Sequence, residues 1–291
     1  MALDQAKRVR RITDSIISLP TLPTVIAKML ELVDNPRTSA NALSSLIMQD
    51  QVLTAKMLKM ANSSFYAFPR QIGTVKLALV VLGFENVKEM ALSLSVLNTF
   101  KGGENKFFDT GRFWQHAVAV GACTRMLARE TYHRLAGEGF VAGLLHDIGK
   151  IVMSQYLPKE FAEIQTLIFE GGSACEDAEK AVLGVTHGEV GAWLAERWNL
   201  PVQLVEAIRW HMHPELCPRN PELPLLVMLS DYLCTLCSLG KSGSRGVETI
   251  PAPVVELARK CLGLSPEALE GFRAGLYAEY DKASTFILEA A

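Results

Sequence analysis

The sequence predicts an all-α protein. Apolar residues recur at helical rather than alternating spacing in nearly every segment, and the segments are bounded by Ser, Thr and Asp caps and by Pro and Gly at helix-terminal positions. No run of alternating strands and no internal repeat of fixed period interrupts the pattern. At 291 residues, 49% of them hydrophobic, the chain can bury a real core as one large domain or two modest ones.

In order, the first helix is expected from Thr24 to Val33, opened by Pro20 and Pro23 and stopped by Asp34-Asn35-Pro36. Ser39 to Met48 follows, then a helix over Gln51 to Asn62 capped by Asp50, with Val52, Leu53, Met57, Leu58 and Met60 as its stripe. A loop, Ser63 to Gly73, carries Phe65, Tyr66 and Phe68. Thr74 caps a short helix that ends at Gly83, read as a left-handed C-terminal residue. Glu85 to Asn98 is helical. The polar, Gly-rich interval Lys101 to Lys106 divides the chain into an N-terminal helical subdomain, 1–105, and a second helical domain, 106–291. The second part opens with Asp109 or Thr110 as cap for a helix through Arg129, followed by a buried helix over Phe140 to Met153. Helices then span Phe161 to Glu170 and Glu176 to Val182. Thr186 and Glu189 form a capping box, with Val185 and Val190 as its hydrophobic staple, for a helix running to Trp198. Pro201 starts the next helix, which ends before Pro214. Leu225 to Leu239 is helical, 240–246 is a loop, and two helices, Val254 to Leu262 and Pro266 to Phe286, close the sequence.

Composition narrows the function. Charged residues make up 21%, the net charge is −2, and no basic block marks a nucleic-acid footprint. Met1 to Ile12 lacks the apolar core of a signal peptide, and no uncharged apolar run approaches a membrane span. The six cysteines are scattered, mostly through apolar helical stretches, which points to reduced thiols in a cytoplasmic protein. Cys234 and Cys237 form a CxxC without a second pair, too little for a zinc site.

The chemistry concentrates in Gly143-Leu-Leu-His-Asp-Ile-Gly-Lys150. On a continuous helix His146, Asp147 and Lys150 lie on neighbouring parts of one face. An imidazole and a carboxylate buried among Val, Leu and Ile are costly unless satisfied. Either a His–Asp hydrogen bond in the core or a bound metal would satisfy them. His116, His187, His211 and Asp231 interrupt apolar faces on four other helices. Helical bundles build metal sites from ligands fed inward in this way. Four imidazoles and two carboxylates would serve two divalent ions, with Asp147 bridging and water completing the shells. Iron, manganese, magnesium and zinc are not distinguished. Lys150 either contacts a phosphate or extends to solvent. His213, before Pro214, is read as solvent-facing.

The order His116, His146-Asp147, Asp231 resembles the signature of the HD superfamily of metal-dependent phosphohydrolases, with His187 and His211 where its two-metal members carry further histidines. Gly184-Val-Thr-His-Gly-Glu-Val-Gly-Ala-Trp-Leu-Ala-Glu-Arg-Trp-Asn-Leu-Pro201, with Leu19-Pro-Thr-Leu-Pro23, Met60-Ala-Asn-Ser-Ser-Phe65 and Ala78-Leu-Val-Val-Leu-Gly83, is similar to the HDOD domain of bacterial signalling proteins. The resemblance runs from about Ile16 to about Leu239. It implies a helical N-terminal subdomain packed on an HD-like one, and a regulatory output module that acts through signalling proteins. The loop Asn62 to Ile72, with Phe65, Tyr66 and Phe68, is either a contact for such a partner or packed locally against the protein. The alternative the resemblance carries is a two-metal phosphohydrolase taking a nucleotide or another phosphorylated ligand. The related HD-GYP enzymes, which cleave cyclic di-GMP, have a His-His pair, a Gly-Tyr-Pro, and in some members a metal-binding Glu one turn before the first histidine. Here Met212 separates His211 from His213, no Gly-Tyr-Pro follows, and Arg112 stands in the place of that Glu. The ligand set also resembles that of HD-fold oxygenases such as the inositol oxygenase, without a substrate motif to support it.

Overall fold

A computed structural model describes residues 19–33, 35–100, 108–131, 135–244 and 249–290, and all of its regular elements are helical. The N-terminal helices are α1 (Thr24–Val33), α2 (Ala40–Ile47), α3 (Gln51–Ala61), α4 (Val75–Leu82) and α5 (Phe84–Thr99). Their starts are written locally. The side chains of Ser39, Asp50 and Thr74 accept from the backbone N–H groups of Ala42, Leu53 and Leu77, as N-caps do. Gly83 departs from expectation. Its φ of 86° is positive, but its ψ of 162° is extended rather than left-handed helical. Phe84 begins α5 at once, so Gly83 is a hinge between two helices and not a terminal cap.

The second half contains α6 (Thr110–Thr131), α7 (Ala136–Leu145), α8 (Ile148–Tyr156), α9 (Pro158–Phe169), α10 (Cys175–Val182), α11 (His187–Arg197), α12 (Val202–Trp210) and α13 (Glu222–Leu236), with a 3-10 turn at Pro214–Leu216. The capping box forms as expected: Glu189 N–H donates to Thr186 Oγ1 at 3.2 Å, and Thr186 N–H to Glu189 Oε2 at 2.8 Å. Of the two candidate caps for α6, Asp109 serves, accepting from Arg112 N–H. Beyond α14 (Ala252–Leu262), the single helix expected over Pro266 to Phe286 is broken into α15 (Pro266–Glu270), α16 (Arg273–Ala283) and α17 (Thr285–Ala290). At the second break Ser284 and Thr285 donate their hydroxyls back to the carbonyls of Asp281 and Lys282.

The largest correction concerns the central stretch. Phe140 to Met153 is not one helix: α7 ends at Leu145 and α8 begins at Ile148. His146 and Asp147 occupy the corner, with Asp147 at φ −100° and ψ 11° and its carbonyl accepting from Lys150 N–H at 2.8 Å. Adjacent residues on a continuous helix diverge by about 100°. The corner removes that divergence and brings both side chains to one centre.

The expected boundary at Lys101 to Lys106 falls outside the described residues. One apolar cluster links what lies on either side of it. Phe65 is buried, with its ring 5.0 Å from that of Phe140 and 5.1 Å from that of Phe286, and the Arg125 guanidinium lies 4.1 Å over its face. Trp198 Nε1–H donates to the Pro20 carbonyl. Phe65 is therefore an internal anchor, which leaves Phe68 as the exposed aromatic of its loop.

Candidate metal centre

The six residues singled out in the sequence meet. α6 supplies His116, the α7–α8 corner His146 and Asp147, the first turn of α11 His187, the end of α12 His211, and α13 Asp231. All six are buried. His116 Nε2 lies 2.9 Å from Asp231 Oδ1. The His146 ring sits between those of His116 and His211, at 5.7 and 5.1 Å between centroids. Asp147 Oδ1 is 3.2 Å from His187 Nε2 and 3.6 Å from His211 Nε2, and Asp147 Oδ2 is 3.3 Å from His146 Nε2. Within these six, two triads have ligand atoms close enough to share an ion: His116, His146 and Asp231, and His146, Asp147 and His211.

The orientation of the rings is as informative as their proximity. Each histidine spends Nδ1 outward on an acceptor: His116 on Leu239 O at 3.0 Å, His146 on Gly143 O at 2.6 Å, His187 on Glu179 Oε2 at 2.8 Å, and His211 on Ile208 O at 2.8 Å. Carbonyls and carboxylates only accept, so every Nδ1 carries the proton and every Nε2 faces inward. Metal-ligating histidines are oriented in this manner. His146 Nε2 and Asp147 Oδ1 are moreover buried without a hydrogen-bond partner among the described residues. An inward set of nitrogen and carboxylate donors with orphaned lone pairs fits a divalent ion.

Electrostatics agree. Burial opposes the charge on Asp147, but the Lys150 ammonium and His146 hold its carboxyl well below the usual range. Burial likewise works against Asp231, and the His116 hydrogen bond brings it down to about 2. The same partnership, acting against desolvation, raises His116.

Lys150 does not extend to solvent. It is buried, and its ammonium donates to Asp147 Oδ2 at 2.7 Å and to Ser244 Oγ at 3.4 Å. His213 stands apart from the cluster, half-exposed and 2.7 Å from Glu176 Oε2. Cys123, Cys234 and Cys237 are free, buried thiols.

Glu179 was not picked out from the sequence. It is buried on α10 and accepts both the ring Nδ1–H and the backbone N–H of His187. The polar run Cys-Glu-Asp-Ala-Glu-Lys hides it. Its i,i+3 spacing to Val182, on the one apolar face of that helix, is the signal that could have found it.

The fold and the cluster define a helical protein with an HD-type His–Asp centre. The chain belongs to the HDOD family: its sequence matches the HDOD domain over residues 19–214, which takes in every ligand candidate except Asp231. A solved HDOD domain protein of unknown function from Geobacter sulfurreducens is 26% identical, with a TM-score of 0.80 over 97% of this chain and 98% of that one. A presumed phosphohydrolase of Shewanella amazonensis SB2B, 24% identical, has a TM-score of 0.76 over 97% and 98% of the two chains, a likeness of fold. An uncharacterized protein of Treponema pallidum (strain Nichols) is 25% identical over 256 residues, which make up 87% of this chain and 48% of the relative. The chain thus spans about half the length of that curated relative.

Proposed function

We propose that this chain is a divalent-metal-binding HDOD module that works as a signalling output through protein partners in the cytoplasm. One observation carries the metal: four Nε2 atoms and the Asp147 carboxylate face inward while every Nδ1 is held from outside. His116, His146, Asp147, His187, His211 and Asp231 would hold the ion or ions. A bound divalent ion supplies Lewis acidity and lowers the pKa of water. The protein's own part is to fix the rings, exclude solvent from the donors and balance their charge with Lys150. The partner reading is supported by Met48, Val52 and Val80, each more than half exposed, on α4 and on the ends of the two helices packed against it. Among the described residues no helix is long and apolar enough to cross a membrane.

Metal analysis of protein purified without chelator tests this reading. At least one divalent ion per chain is expected, lost in Asp147→Ala and kept in His213→Ala. Absence of metal from wild type, even after incubation with zinc, manganese, iron(II) or magnesium, would sink it.

Metal-dependent phosphohydrolysis is the second reading, favoured by an open cleft against His116. Turnover of bis(p-nitrophenyl) phosphate that disappears in Asp147→Ala would establish it. Turnover of cyclic di-GMP is not expected, because His213 lies on Glu176 rather than in the cluster and Arg112 puts a cation near the first histidine.

A further inference from the structure

After α13 the chain runs Ser238-Leu-Gly-Lys-Ser-Gly-Ser244 back across the start of α6. The segment is fastened to the helical turn that presents His116. Leu239 O accepts from His116 Nδ1–H at 3.0 Å, and Lys241 N–H donates to Arg112 O at 2.9 Å. Gly240 permits the approach: it has φ +75°, and a Cβ there would fall on the His116 backbone nitrogen. Farther along, Gln165 Nε2–H donates to Gly243 O at 3.0 Å.

This fastened segment borders a cleft of about 350 Å³ that has His116 in its wall. That volume is at the lower end of small-ligand sites, roughly 300–1,000 Å³. Arg112 and Lys241 line it, with hydroxyls from Thr235, Ser238, Ser242 and Ser244, and no carboxylate does among the described residues. Neither cation has a carboxylate partner within ion-pair distance among those residues. The hydroxyls are not isolated. Ser242 Oγ is 2.8 Å from Ser244 Oγ, and Ser244 accepts from Lys150, which itself holds Asp147. A hydrogen-bonded line therefore runs from the metal centre to the cleft. Two cations, clustered hydroxyls and no opposing acid make up the chemistry of an oxyanion site, and a guanidinium is the best-matched donor for phosphate.

We propose that this cleft binds the phosphate group of a small phosphorylated ligand, through Arg112, Lys241 and the Ser242–Ser244 hydroxyls, beside the His116 face of the centre. The ligand's place beside a metal rests on the preceding reading. The phosphate contacts do not, because none of them is a metal-ligand candidate. The whole segment follows residue 214, where the family match ends.

Calorimetric titration of the full chain with inorganic phosphate, at constant ionic strength, is the test. Saturable binding to one site is expected. Arg112→Gln and Lys241→Gln should each weaken it by roughly tenfold, the loss of one charge-assisted contact, and Arg112→Lys should recover part of it. These substitutions leave the Arg112 carbonyl and the Lys241 amide in place, so circular dichroism and metal content should stay at wild-type values. Repeating the titration after chelation separates the two readings: phosphate binding that survives metal loss and still depends on Arg112 and Lys241 upholds the cleft even if the metal reading fails. Absence of saturable binding, or equal binding by wild type and both Gln variants, overturns the proposal.

Discussion

His187 and His211 present their Nε2 atoms to each other at 3.2 Å. Both Nδ1 atoms are committed as donors, to Glu179 and to the Ile208 carbonyl, so two Nε2 lone pairs would meet unless a proton or a cation lies between them. Without metal the proton belongs to His187. Burial disfavours its charge, but the Glu179 carboxylate outweighs burial and holds the ring well above its usual value, while burial lowers His211. A metal ion must displace that proton. Metal uptake is therefore expected to release a proton from this pair, and affinity to rise with pH for as long as the pH stays below the raised value of His187. Calorimetry in two buffers of different ionisation enthalpy reads the release. No release and a flat pH profile would mean that this pair takes no part in binding.

Glu179→Gln tests whether the acceptor behind His187 matters. Glu179 holds the ring N–H and the backbone N–H of the same residue, and Gln keeps only one acceptor oxygen and no charge. Metal affinity should fall by about 10- to 100-fold, as for other outer partners of ligating histidines, with helix content unchanged. Equal affinity in a competition assay would show that Glu179 serves the fold alone.

Much of this was legible because its causes are local. The Asp50 cap and the Thr186–Glu189 box lie within three residues of what they bond, and the six ligand candidates announce themselves by interrupting apolar faces. What stayed hidden depends on partners distant in sequence or on backbone geometry. The corner at His146 and Asp147 has no Pro to mark it, and the apolar pattern runs through it unbroken. Phe65 looks like an exposed loop aromatic until Phe140, Arg125 and Phe286 close around it. Lys150 lies three residues from Asp147, but only the fold shows that its ammonium is buried on that carboxylate rather than carried to solvent.

Gly149 shows how tightly that corner is held. It lies on α8 where α11 crosses, and a Cβ there would fall on the His187 carbonyl oxygen and 2.9 Å from the Gly191 nitrogen. Backbone cannot move aside as a side chain can. Gly149→Ala should cost about 1–3 kcal/mol or more in urea unfolding and should weaken metal binding by displacing the first turn of α11. Gly73→Ala is the control, since a Cβ there meets nothing within 4 Å. Equal stability of the two variants would show that α8 and α11 are not locked at this crossing.

Glu89 carries the last prediction. It sits on α5 at 2% exposure, and neither carboxylate oxygen has a hydrogen-bond partner among the described residues. Burial pushes its carboxyl up to about 7, with Arg125 and Arg129 pulling the other way and Glu85 adding to the rise. Arg125 does not cancel the effect: its guanidinium is stacked on Phe65, and Nη1 is itself without an acceptor. The folded value lies above the unfolded one, 4.5, so the native state holds the proton more tightly. Stability from this group is complete below about pH 4.5 and is lost as pH rises through about 7. A shift of this size is worth about 3 kcal/mol. Glu89→Gln keeps the shape and removes the charge. It should match wild type at about pH 4 and exceed it by up to about 3 kcal/mol at about pH 8, measured by urea unfolding at both. His116 and His187 are also held above their usual values, but they are present in both proteins and cancel in the difference. A difference that does not change with pH would mean that Glu89 ionises as an ordinary carboxylate and that Arg125 neutralises it in the folded protein.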